Sequence, residues 1–353
     1  MCTSTNMISH LKTTLHCLGV LLLLVTGSVP LEAQPEKTEY ASSSPSSYDM
    51  VIREGLSAIE QQHTREADDS QQLSSLVTWY TTHPLIEYAS CIERSITVRF
   101  IDGSYVVLFD PLSGTSESVI GTQWPSIHQR YLGHTNKTAV ILNPAESMYG
   151  HHQCQRIITT LLQKDYSIEY LANQAVDVSY IRNNLSASII YMNTHAGYFD
   201  VDGDLLADAV VIATGEPWTN ETEIKYAEEI QNHLIVKGMV GDQGFVTFTP
   251  AFIEQYYSTN PFPGSLVFMA TCYALADSSM AQAFLNTGAS VYLGWSQNTV
   301  FWTNSRTSVQ VFHLLALGVP VQLICRMIRS GGFYNWLFHS KLMYIGDGTY
   351  TIP

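Results

Sequence analysis

Hydrophobic alternation is clearest in "ITVRFIDGSYVVLFDP", where two alternating runs flank Asp102-Gly103. That spacing predicts a β-hairpin closed by a type I′ turn. Just upstream, "SLVTWYTTHPLIEYAS" carries apolar residues at helical spacing up to His83-Pro84, where proline should end the helix. Residues 51–72 are polar and read as partly helical or disordered. From Thr138 the pattern changes. Short apolar runs ("TAVILNP", "YSIEYLA", "ASIIYMNTH", "SLVFMATC", "ASVYLGWS") alternate with helix-like segments ("HHQCQRIITTLLQKD", "VSYIRNNL", "PAFIEQYYS", "SSMAQAFLNTG"). Strands alternating with helices imply an α/β domain with a mostly parallel sheet covered on both faces. In such sheets the active crevice lies at the C-terminal ends of the strands. The apolar stretch 311–328 is interrupted by Pro320, Gln322 and Arg326, so it reads as two packed helices and not a membrane span.

These patterns divide the chain into four parts. Residues 1–33 read as a secretory signal: Lys12, an apolar run from Leu18 to Val25, a break around Gly27 and Pro30, and a cleavage position after Ala33. Residues 34–72 form a linker and polar segment, Ser/Pro-rich at its start. Residues 73–135 form a small α+β region, and 136–353 the main domain. The expected location is secreted or surface-associated, with no stable membrane insertion; an uncleaved N-terminal anchor is the alternative. A formal net charge of −14 excludes a nucleic-acid partner, which needs a basic face. It hints at a taste for cationic substrates. With the signal removed, Cys91, Cys154, Cys272 and Cys325 remain, too scattered for a disulfide framework and without a CxxC pair for zinc. Asn136, Asn184 and Asn220 begin glycosylation sequons.

Two strands end in residues that can do chemistry. His195 follows "IIYMNT" and Cys272 follows "VFMAT". Neighbouring parallel strands lie roughly 5 Å apart, which would bring imidazole and thiol to one crevice. A cysteine attacks as thiolate, and a nearby imidazole activates it or protonates the leaving group. Backbone N–H groups of Gly197 and Cys272 are candidate oxyanion donors. Either residue alone is more often structural, since free cysteine is among the most buried residue types. Asn143 and Glu146, after the first strand, are candidates to orient the histidine. His151, His152 and Cys154 have no second spaced pair and read as a helix N-terminus near the crevice instead of a metal site. Asp200, Asp202, Asp204 and Asp208 are spaced like calcium ligands, but Leu205 and Val211 stand where an EF-hand needs Gly and Glu. A solvated loop is the favoured reading, with calcium as the alternative cofactor.

The order apolar strand, His, Gly, then apolar strand, Cys, helix, strand resembles the caspase-like cysteine peptidases, and the gingipain family most of all. "KLMYIGDGTY" near the C-terminus is similar to the segment closing gingipain-type domains. The resemblance spans Thr138 to about Tyr350. It implies a caspase-like three-layer α-β-α sandwich with a mostly parallel sheet. It also implies a protein or peptide substrate, His195 as general acid/base, and a Cys272 thioester. By the same resemblance, Trp295 and Ser296 would wall the pocket for the substrate residue before the cleaved bond. Two positions depart from the family pattern: Ala196 stands directly after the histidine, and Thr271 directly before the cysteine. A binding protein that has lost catalysis and a cysteine-dependent transpeptidase are the rival readings.

Overall fold

In the computed structural model the described residues are 47–62, 68–112, 126–259, 262–329 and 339–352. The signal segment and residues 34–46 of the linker lie outside them.

The polar stretch after residue 46 is helical. Helix α1 (Ser47–Gln62) buries Val51, Ile52 and Ile59, and α2 (Asp69–Thr82) buries Leu73, Leu76 and Tyr80. Helix α1 thus opens inside the segment read as linker, because one narrow apolar stripe suffices when a sheet covers it. That sheet starts with β1 (Ile86–Ile92), β2 (Ser95–Phe100) and β3 (Tyr105–Phe109), an antiparallel meander. The β2–β3 hairpin is present, but its turn is not type I′. Phe100 and Ser104 close a three-residue loop: Gly103 N–H donates to Phe100 O (2.9 Å) and Phe100 N–H to Ser104 O (2.9 Å). Only Gly103 takes a positive φ in that loop, at 86°. The Asp102 carboxylate accepts from Ser104 N–H (2.9 Å), which favours this longer turn.

The chain then alternates as its apolar pattern predicts. In order come β4 (Ile127–Tyr131), β5 (Thr138–Asn143), α3 (Glu146–Tyr149), α4 (His152–Leu162), β6 (Ser167–Ala172), α5 (Val178–Asn183) and β7 (Ile189–Asn193). The stretch that follows holds β8 (Ala196–Phe199), β9 (Ala209–Pro217), α6 (Asn220–Lys225), α7 (Ala227–Gln231), β10 (Ile235–Val240) and β11 (Gln243–Phe248). Alternation resumes with α8 (Pro250–Tyr257), β12 (Leu266–Ala270), α9 (Ser279–Asn286), β13 (Val291–Trp295), α10 (Phe301–Ala316), α11 (Val321–Ile328) and β14 (Leu342–Gly346).

Two seven-stranded sheets result. One runs β14-β13-β12-β7-β5-β6-β4, with β13 to β6 parallel and an antiparallel strand at each edge. Alternate residues on its strands enter two cores. Val140, Leu142, Ile190, Met192, Val267 and Met269 pack with α5, α8 and α9. Ile141, Ile189, Tyr191, Leu266, Phe268 and Leu293 pack with α4, α10 and α11. The fold is therefore α/β, with helices on both faces of this sheet.

The other sheet runs β1-β2-β3-β10-β11-β9-β8. Its join is the parallel pair β3–β10, which sets Val106 beside Lys237 and Leu108 beside Met239. Residues 86–109 of the region read as 73–135 thus share one sheet with residues 196–248, while its β4 edges the parallel sheet. No described helix is long and apolar enough to cross a membrane.

Candidate active site

Strands β7 and β12 are parallel neighbours in register, with Asn193 opposite Ala270. His195 and Cys272 each stand two residues beyond that pair. Sequence spacing anticipated this convergence. The order β6-β5-β7-β12-β13 reverses direction between β5 and β7, and such a switch point is where open α/β sheets bind ligands.

Cys272 sits in a tight loop between β12 and α9. The next residue, Tyr273, takes φ 58°, uncommon for a bulky side chain and a frequent mark of functional sites. The loop is held down by Leu275 N–H to Trp295 O (2.9 Å) and Tyr273 N–H to Gln297 O (3.2 Å). The Cys272 thiol donates to Asn298 Oδ1 (2.9 Å), and Thr299 N–H points at its sulfur (3.3 Å). Burial raises the thiol to about 11; the Thr299 N–H opposes this and the charge of Asp110 adds to it. Burial lowers His195 to about 4. At neutral pH both members of the pair are therefore uncharged.

The partner of His195 was not visible in the sequence. Tyr149, last residue of the short α3, places its hydroxyl 3.1 Å from His195 Nε2. Its ring stacks on Phe301 at 4.3 Å. Burial and the neighbouring Cys272 sulfur raise its pKa and keep this phenol protonated. A single tyrosine in a four-residue helix leaves no motif to read.

Asn143 and Glu146 make no direct bond to His195. Glu146 accepts the Tyr170 hydroxyl and lies 3.9 Å from His151 Nδ1. Asn143 belongs instead to a buried chain of amides under the crevice. Trp295 Nε1 donates to Asn304 Oδ1 (2.8 Å), and Asn304 Nδ2 to Asn193 Oδ1 (3.3 Å) and Ala270 O (2.8 Å). Asn193 Nδ2 then donates to Asn143 Oδ1 (2.8 Å), and Asn143 Nδ2 to Gly150 O (3.0 Å). The chain links the ends of β13, β12, β7 and β5 and anchors the residue next to Tyr149.

Two expected roles do not match the positions found. Trp295 is fully buried, with its indole N–H spent on Asn304, so it supports the crevice floor and walls no pocket. Ser296 instead ties the end of β13 to the chain entering β14, exchanging bonds with Lys341. Gly197 lies inside β8 opposite Val211. Ala213 N–H bonds His195 O (2.9 Å), and antiparallel alternation then gives the Gly197 N–H to the Val211 carbonyl. Its N–H therefore serves the ladder and not the crevice. The Cys272 N–H stays as the candidate oxyanion donor.

The acidic loop folds on itself. Asp200, Asp202 and Asp208 bring carboxylate oxygens within 4.8 Å of one another, and Asp204 stands outside that group. Buried Asp200 accepts from Gly203 N–H (2.7 Å) and Leu205 N–H (3.2 Å), and Asp208 from Val201 N–H (2.6 Å). These bonds account for the loop's shape without a cation. Cys154 is buried in the core and His151 half-exposed at the start of α4.

The chain matches no protein-family model and no curated protein.

Proposed function

We propose that the chain is a secreted cysteine endopeptidase of the caspase-like type, with Cys272 as nucleophile and His195 as general acid/base. One observation carries this reading: parallel neighbours β7 and β12 deliver His195 and Cys272 at equal register beside the switch point of the sheet. The left-handed Tyr273 after the cysteine supports it, as do helices on both sheet faces and an antiparallel β14 that carries "LMYIG". Export is supported by the exposure of all three sequon asparagines, Asn136, Asn184 and Asn220.

Cys272 Sγ attacks the carbonyl carbon of the cleaved bond while the thiol proton passes to His195 Nε2. The C–N bond breaks, that proton goes to the leaving amine, and an acyl thioester remains. Water, deprotonated by His195, then releases the acid and restores the thiol. The Tyr149 hydroxyl has to yield Nε2 before the first transfer. Catalytic hydrogen bonds often tighten only when substrate binds.

A second reading rests on one contact. The Cys272 thiol is bonded to Asn298 and not to His195, an arrangement suited to a binding protein with a parked thiol. Labelling with a library of peptidyl electrophiles, followed by mapping of the modified residue, separates the two. The peptidase reading expects the adduct on Cys272, no turnover in Cys272→Ala, and a loss of roughly 10²- to 10⁴-fold in His195→Ala. Undiminished hydrolysis by Cys272→Ala sinks it. Product analysis with an added amine acceptor tells hydrolase from transpeptidase.

A further inference from the structure

The three helices on one face of the parallel sheet, α4, α10 and α11, contain no Asp or Glu at all. In a chain with fourteen more acidic than basic side chains, that face is segregated. A cavity of about 490 Å³ opens between α4 and α10. Arg156 and Arg306 line it, exposed, and neither has an ion-pair partner among the described residues. His152 and His313 line it too. So does Gln153, a side chain only 2% exposed. Its Oε1 takes a long bond from Ser305 (3.4 Å), while its Nε2 is buried without a partner. A buried amide donor left unmet is costly, and one that lines a cavity points to an acceptor supplied from outside. Trp302, 54% exposed, offers an indole surface on the same wall.

The lining positions on α10 run from residue 301 to 313 along one stripe. At 1.5 Å per residue that is about 18 Å, the span of roughly five residues of extended peptide. Helices α4 and α10 both follow strands whose C-terminal ends bound the crevice, so the groove starts at the crevice rim. Phe301, which stacks on Tyr149, belongs to both.

We infer that this groove binds an acidic stretch of a polypeptide. Guanidinium forks take carboxylates in paired hydrogen bonds, and the Gln153 amide adds a neutral donor in the same lining. Screening acts over about 8 Å at physiological salt, and no carboxylate among the described residues lines the groove to offset these cations. That this stretch flanks the cleaved bond of a substrate rests on the peptidase reading. The binding itself does not.

The test uses the Cys272→Ala chain, which cannot turn over the probe, and a fluorescein-labelled hexaglutamate peptide. Anisotropy should show binding that a Gly-Ser hexapeptide lacks. Arg156→Glu with Arg306→Glu should weaken it about tenfold or more, and raised salt should weaken it in the parent. Both arginines are exposed, so an unchanged thermal midpoint confirms that the double variant folds. Hexaglutamate binding no tighter than the control peptide, or untouched by the double variant, overturns the inference. A groove that takes a heparin hexasaccharide but not hexaglutamate overturns the polypeptide assignment. In the chain with Cys272 intact, the double variant should slow cleavage of a substrate bearing an acidic stretch and spare its neutral counterpart. A chain with no hydrolysis of either substrate sinks the peptidase reading and leaves the binding result standing.

Discussion

At the scale of single residues, the site is poised by the neutrality of its groups. With the thiol near 11, only about one Cys272 in ten thousand is thiolate at pH 7. A raised thiol pKa means the reactive anion grows as pH rises through the neutral range. Alkylation of Cys272 by iodoacetamide should therefore climb steadily from pH 7 to beyond pH 9. A plateau near neutrality would instead reveal a thiolate–imidazolium pair. The phenol of Tyr149 holds the imidazole nitrogen that would otherwise take the thiol proton. Tyr149→Phe removes that competitor and keeps the ring stacked on Phe301. It should speed alkylation at pH 7 by roughly several-fold, less than the full 10²- to 10⁴-fold that a positioned acid–base partner supplies. An unchanged pH profile in Tyr149→Phe would show that the hydroxyl does not control the imidazole.

At the scale of elements, the Cys272 loop depends on what β13 lacks. A Cβ on Gly294 would meet the Ala274 Cβ at 2.7 Å, so the loop lies against bare backbone. Gly294→Ala should destabilise the fold by ~1–3 kcal/mol and slow Cys272 labelling. Ala274→Gly in the same chain should restore both, and a Gly294→Ala chain with parental melting and labelling would refute the close contact. The strands and helices of the parallel sheet were legible because each is a short apolar run bounded by turn residues. The convergence of His195 and Cys272 was legible for the same reason. Of the other sheet only the β2–β3 hairpin was. That sheet's β8–β9 and β10–β11 pairs are local, but the join that completes it sets Lys237 beside Val106, and pairing across such a gap has no local signature. Helix α1 was legible only as a partly helical or disordered stretch from residue 51, because few of its positions are buried. The Gly197 assignment failed because the strand ladder, invisible in composition, claims its N–H.

At the scale of the whole molecule, the β3–β10 pair makes the early region part of the later one. Val106, Leu108 and Met239 share a core with α1 and α2 residues such as Ile52 and Leu76. A fragment starting at residue 126 would keep only Met239 of that core and bare it, together with Phe199, Val211 and Val236, which pack with Tyr105, Val107 and Phe109, at ~1.5–3 kcal/mol for each large side chain returned to water. It would also leave β10 as an open edge. We expect the fragment to aggregate or to lose cooperative melting. A soluble fragment with the parental thermal midpoint would restore the early region as a module of its own.

The buried amide chain beneath the crevice has a consequence for how this protein can vary. Asn143 and Asn193 each give one hydrogen bond and take another along it, and Asn304 donates twice while accepting from Trp295. Replacing Asn143 or Asn193 with an isosteric apolar residue strands two groups in a dry interior and replacing Asn304 strands three, whereas replacing all three together strands only three groups, Gly150 O, Ala270 O and the Trp295 indole N–H, so the penalties do not add. The positions are thus mutually locked. A random library screened for folding should return joint substitutions at these positions more often than the frequencies of the separate substitutions multiply to.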